Sequence, residues 1–215
     1  MNVNMKFMLL FLVALAVACS SMPISERYIH SGTRAFSIHY GSTQFSEPEP
    51  KSGPTYFFTA LTTGKLKEES TPAQKAYAYT YLAKIELRKG NVPEALRLLN
   101  KAETESNLFP YKDEILGDYY FKNSDFSKSN GYYVSLIQWI DNRIASLSAG
   151  SFDVNSLEFM NIRSYVDSKF EDKYMDMFNK KLSKETRKNL YTQFLVQKKM
   201  LAQQRILQTF TKNKN

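Results

Sequence analysis

Apolar residues form one uninterrupted run near the start of the chain, at residues 7–18, directly after Lys6. This run of 12 residues is too short to span a bilayer, which takes about 20 apolar residues in a helix. A positive residue followed by a short apolar run is typical of an export signal. No later window is apolar enough to cross a bilayer, so we expect no transmembrane helix after residue 20.

Further along, apolar residues recur at helical spacing, and residues 76–109 show the same pattern as residues 110–143. Small residues coincide between the two copies, as at Ala83 with Gly117 and Ala95 with Ser129. The bulky and turn residues that coincide are Leu82 with Leu116, Leu87 with Phe121, Leu99 with Tyr133, Gly90 with Ser124, and Asn91 with Asp125. Small residues let two helices approach closely, and Asn or Asp after a turn caps the next helix. The pattern predicts two helix–turn–helix units, at about residues 76–109 and 110–143.

The period and the residue types of these units resemble the tetratricopeptide repeat, a helix–turn–helix unit of about 34 residues. The resemblance covers about a third of the chain, residues 74–143. It implies a protein- or peptide-binding scaffold whose concave face is built from the first helix of each unit. On that face the candidate partner-binding residues are Tyr79, Lys84, Arg88, Asp113, Tyr120 and Lys122.

Two such units rarely bury enough apolar surface by themselves, because about three are usually needed and the ends need caps. Apolar stripes at residues 153–170 and 184–211 predict helices that supply a cap within the C-terminal region, residues 149–215. With only 8 Gly and 7 Pro in the chain, long helices are favoured over a turn-dense β fold. We therefore predict an all-α fold.

Residues 19–54 are polar and include Glu-Pro-Glu-Pro, which favours an extended spacer. Within them residues 35–40 alternate between apolar and polar and could form a strand, and residues 56–66 predict a short helix. The expected organisation is a signal peptide at 1–18, a tether at 19–54, helical repeats at 55–148 and capping helices at 149–215.

Cys19 ends the apolar run, within Leu-Ala-Val-Ala-Cys-Ser-Ser, and is the only cysteine of the chain. This stretch resembles the lipobox of bacterial lipoproteins, which implies cleavage before Cys19 and attachment of a diacylglycerol to its thiol. An ordinary signal peptide cut after Ala18 remains the alternative, since Ala16-x-Ala18 also fits the small-residue rule. A lone exported cysteine cannot form an intramolecular disulfide, which favours lipidation. Ser20 resembles the residue found in lipoproteins of the outer membrane, if the source is Gram-negative.

Positive charge is concentrated at the C-terminus, where nine basic residues and one acid follow residue 180, out of a net charge of +8. The predicted basic surface consists of Lys184, Arg187, Lys188, Lys198, Lys199 and Arg205. Such a helix could contact anionic lipid, peptidoglycan or an acidic partner. The alternative is an ordinary solvated helix face. Nucleic acid is not an expected partner of an exported protein.

The sequence contains none of the common catalytic motifs, neither a nucleophile elbow nor a phosphate-binding loop nor a zinc-protease helix. His30 and His39 have no Glu or second Cys at metal-binding spacing and are expected at the surface. The acidic residues Glu171, Asp172 and Asp176 alternate with basic ones, as in helix-surface pairing. We expect no enzyme activity, no metal and no cofactor.

The signal, the lone cysteine and the repeats together are similar to pilotin and assembly lipoproteins of envelope machines. This resemblance implies a lipid-anchored adaptor that helps to assemble or position another envelope protein. The alternative hypothesis is a structural or regulatory lipoprotein that contacts peptidoglycan through its basic C-terminal helix.

Overall fold

The computed structural model describes residues 23–40, 53–106, 109–154 and 182–212. These residues form eight α-helices and no strand, so the predicted all-α fold is confirmed. The helices are α1 (Ile24–Tyr40), α2 (Pro54–Thr62), α3 (Gly64–Glu69), α4 (Pro72–Arg88), α5 (Val92–Glu105), α6 (Tyr111–Lys122), α7 (Phe126–Ser148) and α8 (Lys184–Lys212).

Several predictions concern residues outside that description. They are the signal peptide at 1–18, Cys19, most of the Pro-rich spacer, nearly all of the helix predicted at 153–170, the acidic residues Glu171, Asp172 and Asp176, and the side chains of His30 and His39.

Helices α4 to α7 form two antiparallel hairpins, and the same turn joins α4 to α5 and α6 to α7. Gly90 has a φ of 76° and Ser124 a φ of 60°. The N–H of Asn91 donates to the carbonyl of Glu86, and that of Asp125 to the carbonyl of Tyr120, both at 2.9 Å. A left-handed residue closed by such a bond ends a helix and lets the chain reverse. The predicted turns are therefore present at both copies. The predicted side-chain cap is present at Asp125, which accepts from the N–H of Lys128, and is absent at Asn91.

Inside the hairpins, the small residues lie where the helices approach most closely. Ala83 and Ala95 are fully buried, as is Ser129, whose Oγ donates to the carbonyl of Gly117 at 2.9 Å. The ring of Tyr133 packs directly over Gly117 and its hydroxyl donates to Asp118 at 2.6 Å. The spacing of small and aromatic residues along the sequence thus fixes the distance between α6 and α7.

The N-terminal helix α1 occupies residues that were expected to form an extended tether or, at 35–40, a strand. Both expectations are wrong for residues 24–40. Ser25, Ile29, Gly32 and Phe36 are buried, and this spacing of four, three and four residues places them on one helix face. That face packs on α2 and α4, where the ring of Phe36 lies 4.8 Å from that of Tyr81.

The segment predicted as one helix at 56–66 is divided into α2 and α3. Thr63 is extended between them, with φ −139° and ψ 160°, and Gly64 has a φ of 58°. The start of α4 is better defined, because Thr71 and Gln74 form a reciprocal capping box and Pro72 is the first helical residue.

Helix α8 extends along α7 in the antiparallel direction and crosses α6 in the parallel direction. Along α7, Asn130 contacts Thr209 at 3.0 Å and Asp141 contacts Lys199 at 2.6 Å. Tyr191, Leu195 and Ala202 of α8 are buried. The chain therefore uses its C-terminal helix to cover the second hairpin, as expected for a cap.

Candidate interaction surface on the C-terminal helix

The six candidate partner-binding residues do not form one exposed surface. Tyr79 and Asp113 are buried between helices. Lys84 lies over the ring of Tyr81, at 4.8 Å. The other three are Arg88, against the Phe36 ring of α1 at 5.5 Å, Tyr120, stacked on Tyr132 at 5.7 Å, and the exposed Lys122.

Asp113 shows why a buried member of this set has a structural role. Its carboxylate accepts a hydrogen bond from Ser135 at 2.9 Å, which joins α6 to α7. Burial raises the pKa of the Asp113 carboxyl, while this hydrogen bond lowers it. A carboxylate held between two helices is not presented to a partner.

One side of α6, which carries Glu114, Asp118 and Phe121, is covered by α8. Lys198 Nζ lies 2.8 Å from Glu114 Oε1, and Arg205 Nε lies 3.6 Å from Asp118 Oδ1. Arg205 and Lys212 both lie over the ring of Phe121, at 5.0 and 4.6 Å. Helix α8 therefore contacts a side of α6 that holds none of the candidate partner-binding residues.

The predicted basic surface is mostly turned toward the protein. Arg187 and Lys198 are buried, and Lys188, Lys199 and Arg205 are half-buried. Lys199 pairs with Asp141 at 2.6 Å. Lys184 is exposed and pairs with Asp153 at 3.2 Å. The expectation of an outward cationic helix face is therefore wrong for the buried Arg187 and Lys198. Acids of α6 and α7 pair with Lys198, Lys199 and Arg205.

Between its charged ends, α8 exposes only uncharged residues. Every exposed residue between positions 186 and 211 is apolar, Gln, Asn or Thr. An outer stripe, defined here as Val196, Met200, Gln203, Leu207 and Phe210, follows the four-and-three spacing of a helix-pairing face. Its apolar members are between 43% (Val196) and 64% (Leu207) exposed.

Contiguous apolar patches on a protein surface are typical of interaction sites, so the outer stripe is the candidate site. Helix-pairing faces of this kind bury alternate three- and four-spaced residues against a second helix. The apolar stripe predicted at residues 184–211 did not separate exposed positions such as Leu201 and Leu207 from buried ones such as Leu195. The distinguishing signal was the lack of any charged residue at the stripe positions.

Among the described residues, no cluster of His, Cys, Asp or Glu could hold a metal ion. None of the described helices is both long and apolar enough to cross a membrane. Comparison with protein-family models, with curated proteins and with solved structures finds no match for this chain.

Proposed function

We propose that this protein is a lipid-anchored, non-enzymatic adaptor of the bacterial envelope that binds an amphipathic helix of another envelope protein on the outer stripe of α8. The observation that carries the proposal is the outer stripe itself. It is uncharged, mostly apolar and exposed, on a helix whose cations between Arg187 and Arg205 are buried or half-buried.

The position of α8 supports a helix as the occupant of the outer stripe. In stacked helical hairpins, the first helix of each unit packs antiparallel on the second helix of the preceding unit. The second helix of its own unit covers the opposite side of that first helix. Helix α8 lies in this way along α7. Its outer stripe therefore lies where a further helix would pack, and a partner helix with a matching apolar stripe completes the stack.

The repeats are part of the same proposal. The two hairpins have the left-handed turn residue, and the bond that closes the turn, at equivalent positions of the two copies. This recurrence favours a tetratricopeptide-like scaffold. Lipidation of Cys19 and residence in the outer membrane rest on the sequence resemblance alone.

The peptidoglycan alternative depends on a cationic face, and the pairing of Lys198, Lys199 and Arg205 with acids of the same chain leaves it less support. The adaptor is therefore the better-supported function.

Two experiments test the adaptor. Labelled palmitate should enter the wild-type protein in cells and not the Cys19→Ala variant, whereas equal labelling would contradict the anchor.

For the docking surface, a photoreactive amino acid is placed at Met200 in the stripe and, as a control, at Gln138, which is exposed on α7. We expect a crosslink to one defined helix of an envelope protein from position 200 alone.

The crosslinked helix is then made as a peptide and titrated into the purified full chain. Binding should be lost in Met200→Lys/Leu207→Lys, whose melting temperature should be unchanged because both side chains are exposed. A crosslink to a second copy of the chain, or to residues 155–181 of the same chain, would overturn the proposed partner.

A further inference from the structure

The lipid site and the folded domain are close together in sequence. Cys19 is followed by four residues before α1 begins at Ile24. Even a fully extended chain spans no more than about 3.6 Å per residue, so Ile24 lies within about 18 Å of Cys19. A domain attached by so short a connection is held at the membrane surface.

Just after that connection, α1 carries Ile24 and Tyr28, and the Tyr28 ring lies against Tyr56 and Phe57 of α2. We call these four partly exposed residues the N-terminal patch. Ile24 is 50% exposed and Tyr56 is 53% exposed. The ring centroids of Tyr28 and Tyr56 lie 6.3 Å apart, and Phe57 lies 5.7 Å from Tyr28 and 5.4 Å from Tyr56.

The patch is held in place by the helices beneath it. Gly32 of α1 lies so close to α2 that an added Cβ would be 2.9 Å from the ring of Phe58. Further along α1, Thr33 Oγ1 lies 2.8 Å from the Tyr77 hydroxyl of α4. The first turns of α1 and α2 therefore present their aromatic side chains as a fixed unit.

The chemistry of the patch suits a lipid surface more than an aqueous one. Tyrosine has an apolar ring and a polar hydroxyl, and is enriched where hydrocarbon meets headgroups. Glu26 and Arg27 bring opposite charges beside the patch, so apolar contact rather than net charge would drive its association.

We propose that the N-terminal patch inserts into the interface of the phospholipid membrane that carries the Cys19 anchor, and so fixes the orientation of the domain on that membrane. This inference rests on the anchor of the proposed function. It replaces a flexible tether with a docked domain.

Fluorescence of single-tryptophan variants tests the patch, because Trp139 is the only tryptophan of the chain. In a Trp139→Phe background, Tyr56→Trp places a reporter in the patch, and Ile24→Trp provides a second one. Phe210→Trp is the matched control, since Phe210 is 57% exposed but lies on α8. The lipidated full chains are reconstituted into phosphatidylethanolamine–phosphatidylglycerol vesicles that contain lipids brominated near the headgroup end of the acyl chain.

We expect quenching of at least two-fold and a blue-shifted emission for the Tyr56→Trp and Ile24→Trp reporters, with the Phe210→Trp control unquenched. Equal, weak quenching of all three reporters in protein that carries palmitate would overturn the patch and leave the anchor intact. If the wild-type protein takes up no palmitate but the patch reporters are still strongly quenched, the anchor is contradicted and the membrane contact of the patch is not.

Discussion

Lys198 of α8 reaches Glu114 of α6 across 84 residues of sequence, with 2.8 Å between Nζ and Oε1. The lysine side chain is only 10% exposed and the glutamate 24%. The ammonium also lies 5.4 Å from the centroid of the Phe109 ring and 5.7 Å from that of Phe194. This pair connects the C-terminal helix to the second hairpin at a site that water reaches poorly.

Breaking this pair should therefore cost more than breaking a surface pair. Lys198→Met keeps the length and apolar stem of the side chain but leaves Glu114 without its cation. We expect the free energy of unfolding, from urea denaturation followed by circular dichroism, to fall by about 1–3 kcal/mol. Lys184→Met is the control, because Lys184 and Asp153 are 64% and 56% exposed, and should change stability by less than about 1 kcal/mol. Equal losses would contradict the buried character of the first pair.

Two glycines in the second hairpin should respond in opposite ways to the same substitution. A Cβ at Gly117 would lie 2.8 Å from the Tyr133 ring, which is fixed by its bond to Asp118. Gly117→Ala should therefore destabilise the protein by about 1–3 kcal/mol through overpacking. At Gly131 on α7 nothing lies within 4 Å of an added Cβ, and Gly131→Ala should stabilise it by about 0.5–1 kcal/mol. Thermal unfolding of both variants measures the contrast, and a stabilising Gly117→Ala would show that Tyr133 can move.

The hairpins were predictable because they depend on residues that are close in sequence. Ala83, Gly90 and Asn91 carry the spacing and turn chemistry of one unit, and Ser124 and Asp125 those of the next. Helices α5 and α7 consequently begin at equivalent positions of the two copies, Val92 and Phe126. Local propensity and packing agree at these positions, so periodicity alone located them.

Helix α1 was missed because two periods compete within it. Residues 35–40 alternate like a strand, whereas Ser25, Ile29, Gly32 and Phe36 follow helical spacing over a longer stretch. Burial against α2 and α4 decides between them, and this depends on residues far away in sequence.

The surface of α8 was missed for another reason. The number of basic residues does not tell which side of the helix they lie on. Lys198 and Lys199 pair with Glu114 and Asp141, which are distant in sequence.

The left-handed turn residue of each hairpin predicts opposite changes in stability for two substitutions, Ser124→Gly and Gly90→Ala. Ser124 has a φ of 60° without being glycine, in a region that costs other residues about 1–2 kcal/mol. Ser124→Gly should relieve part of that cost and raise the free energy of unfolding by about 0.5–1 kcal/mol. Gly90 has a φ of 76° with open space around it, so Gly90→Ala should lower stability by about 1 kcal/mol without any steric clash. Chemical denaturation checks both, and equal signs for the two variants would refute the shared turn geometry.

The buried carboxyl of Asp113 predicts a loss of stability as pH rises. A carboxyl whose pKa is lowered on folding does the opposite. Burial raises its pKa above the ordinary value of 3.8, and nearby Glu103 acts in the same direction, against the Ser135 hydrogen bond and Lys112. Between the ordinary and the raised pKa the folded protein binds more protons than the unfolded chain. Asp113 therefore makes the protein less stable as pH rises through that interval.

Asp113→Asn removes this titration while its side-chain oxygen can still accept from Ser135. The free energy of unfolding of Asp113→Asn minus that of the wild type should rise as pH increases from about 4, and level off above the raised pKa.

Asp125→Asn is the control of opposite sign. Its bonds from the side chain and backbone N–H of Lys128 lower the pKa of Asp125, so wild-type stability rises with pH through the interval below about 4. Urea titrations of the three proteins at a series of pH values measure both differences, and a difference for Asp113→Asn that falls with pH would mean that the hydrogen bond from Ser135 outweighs burial.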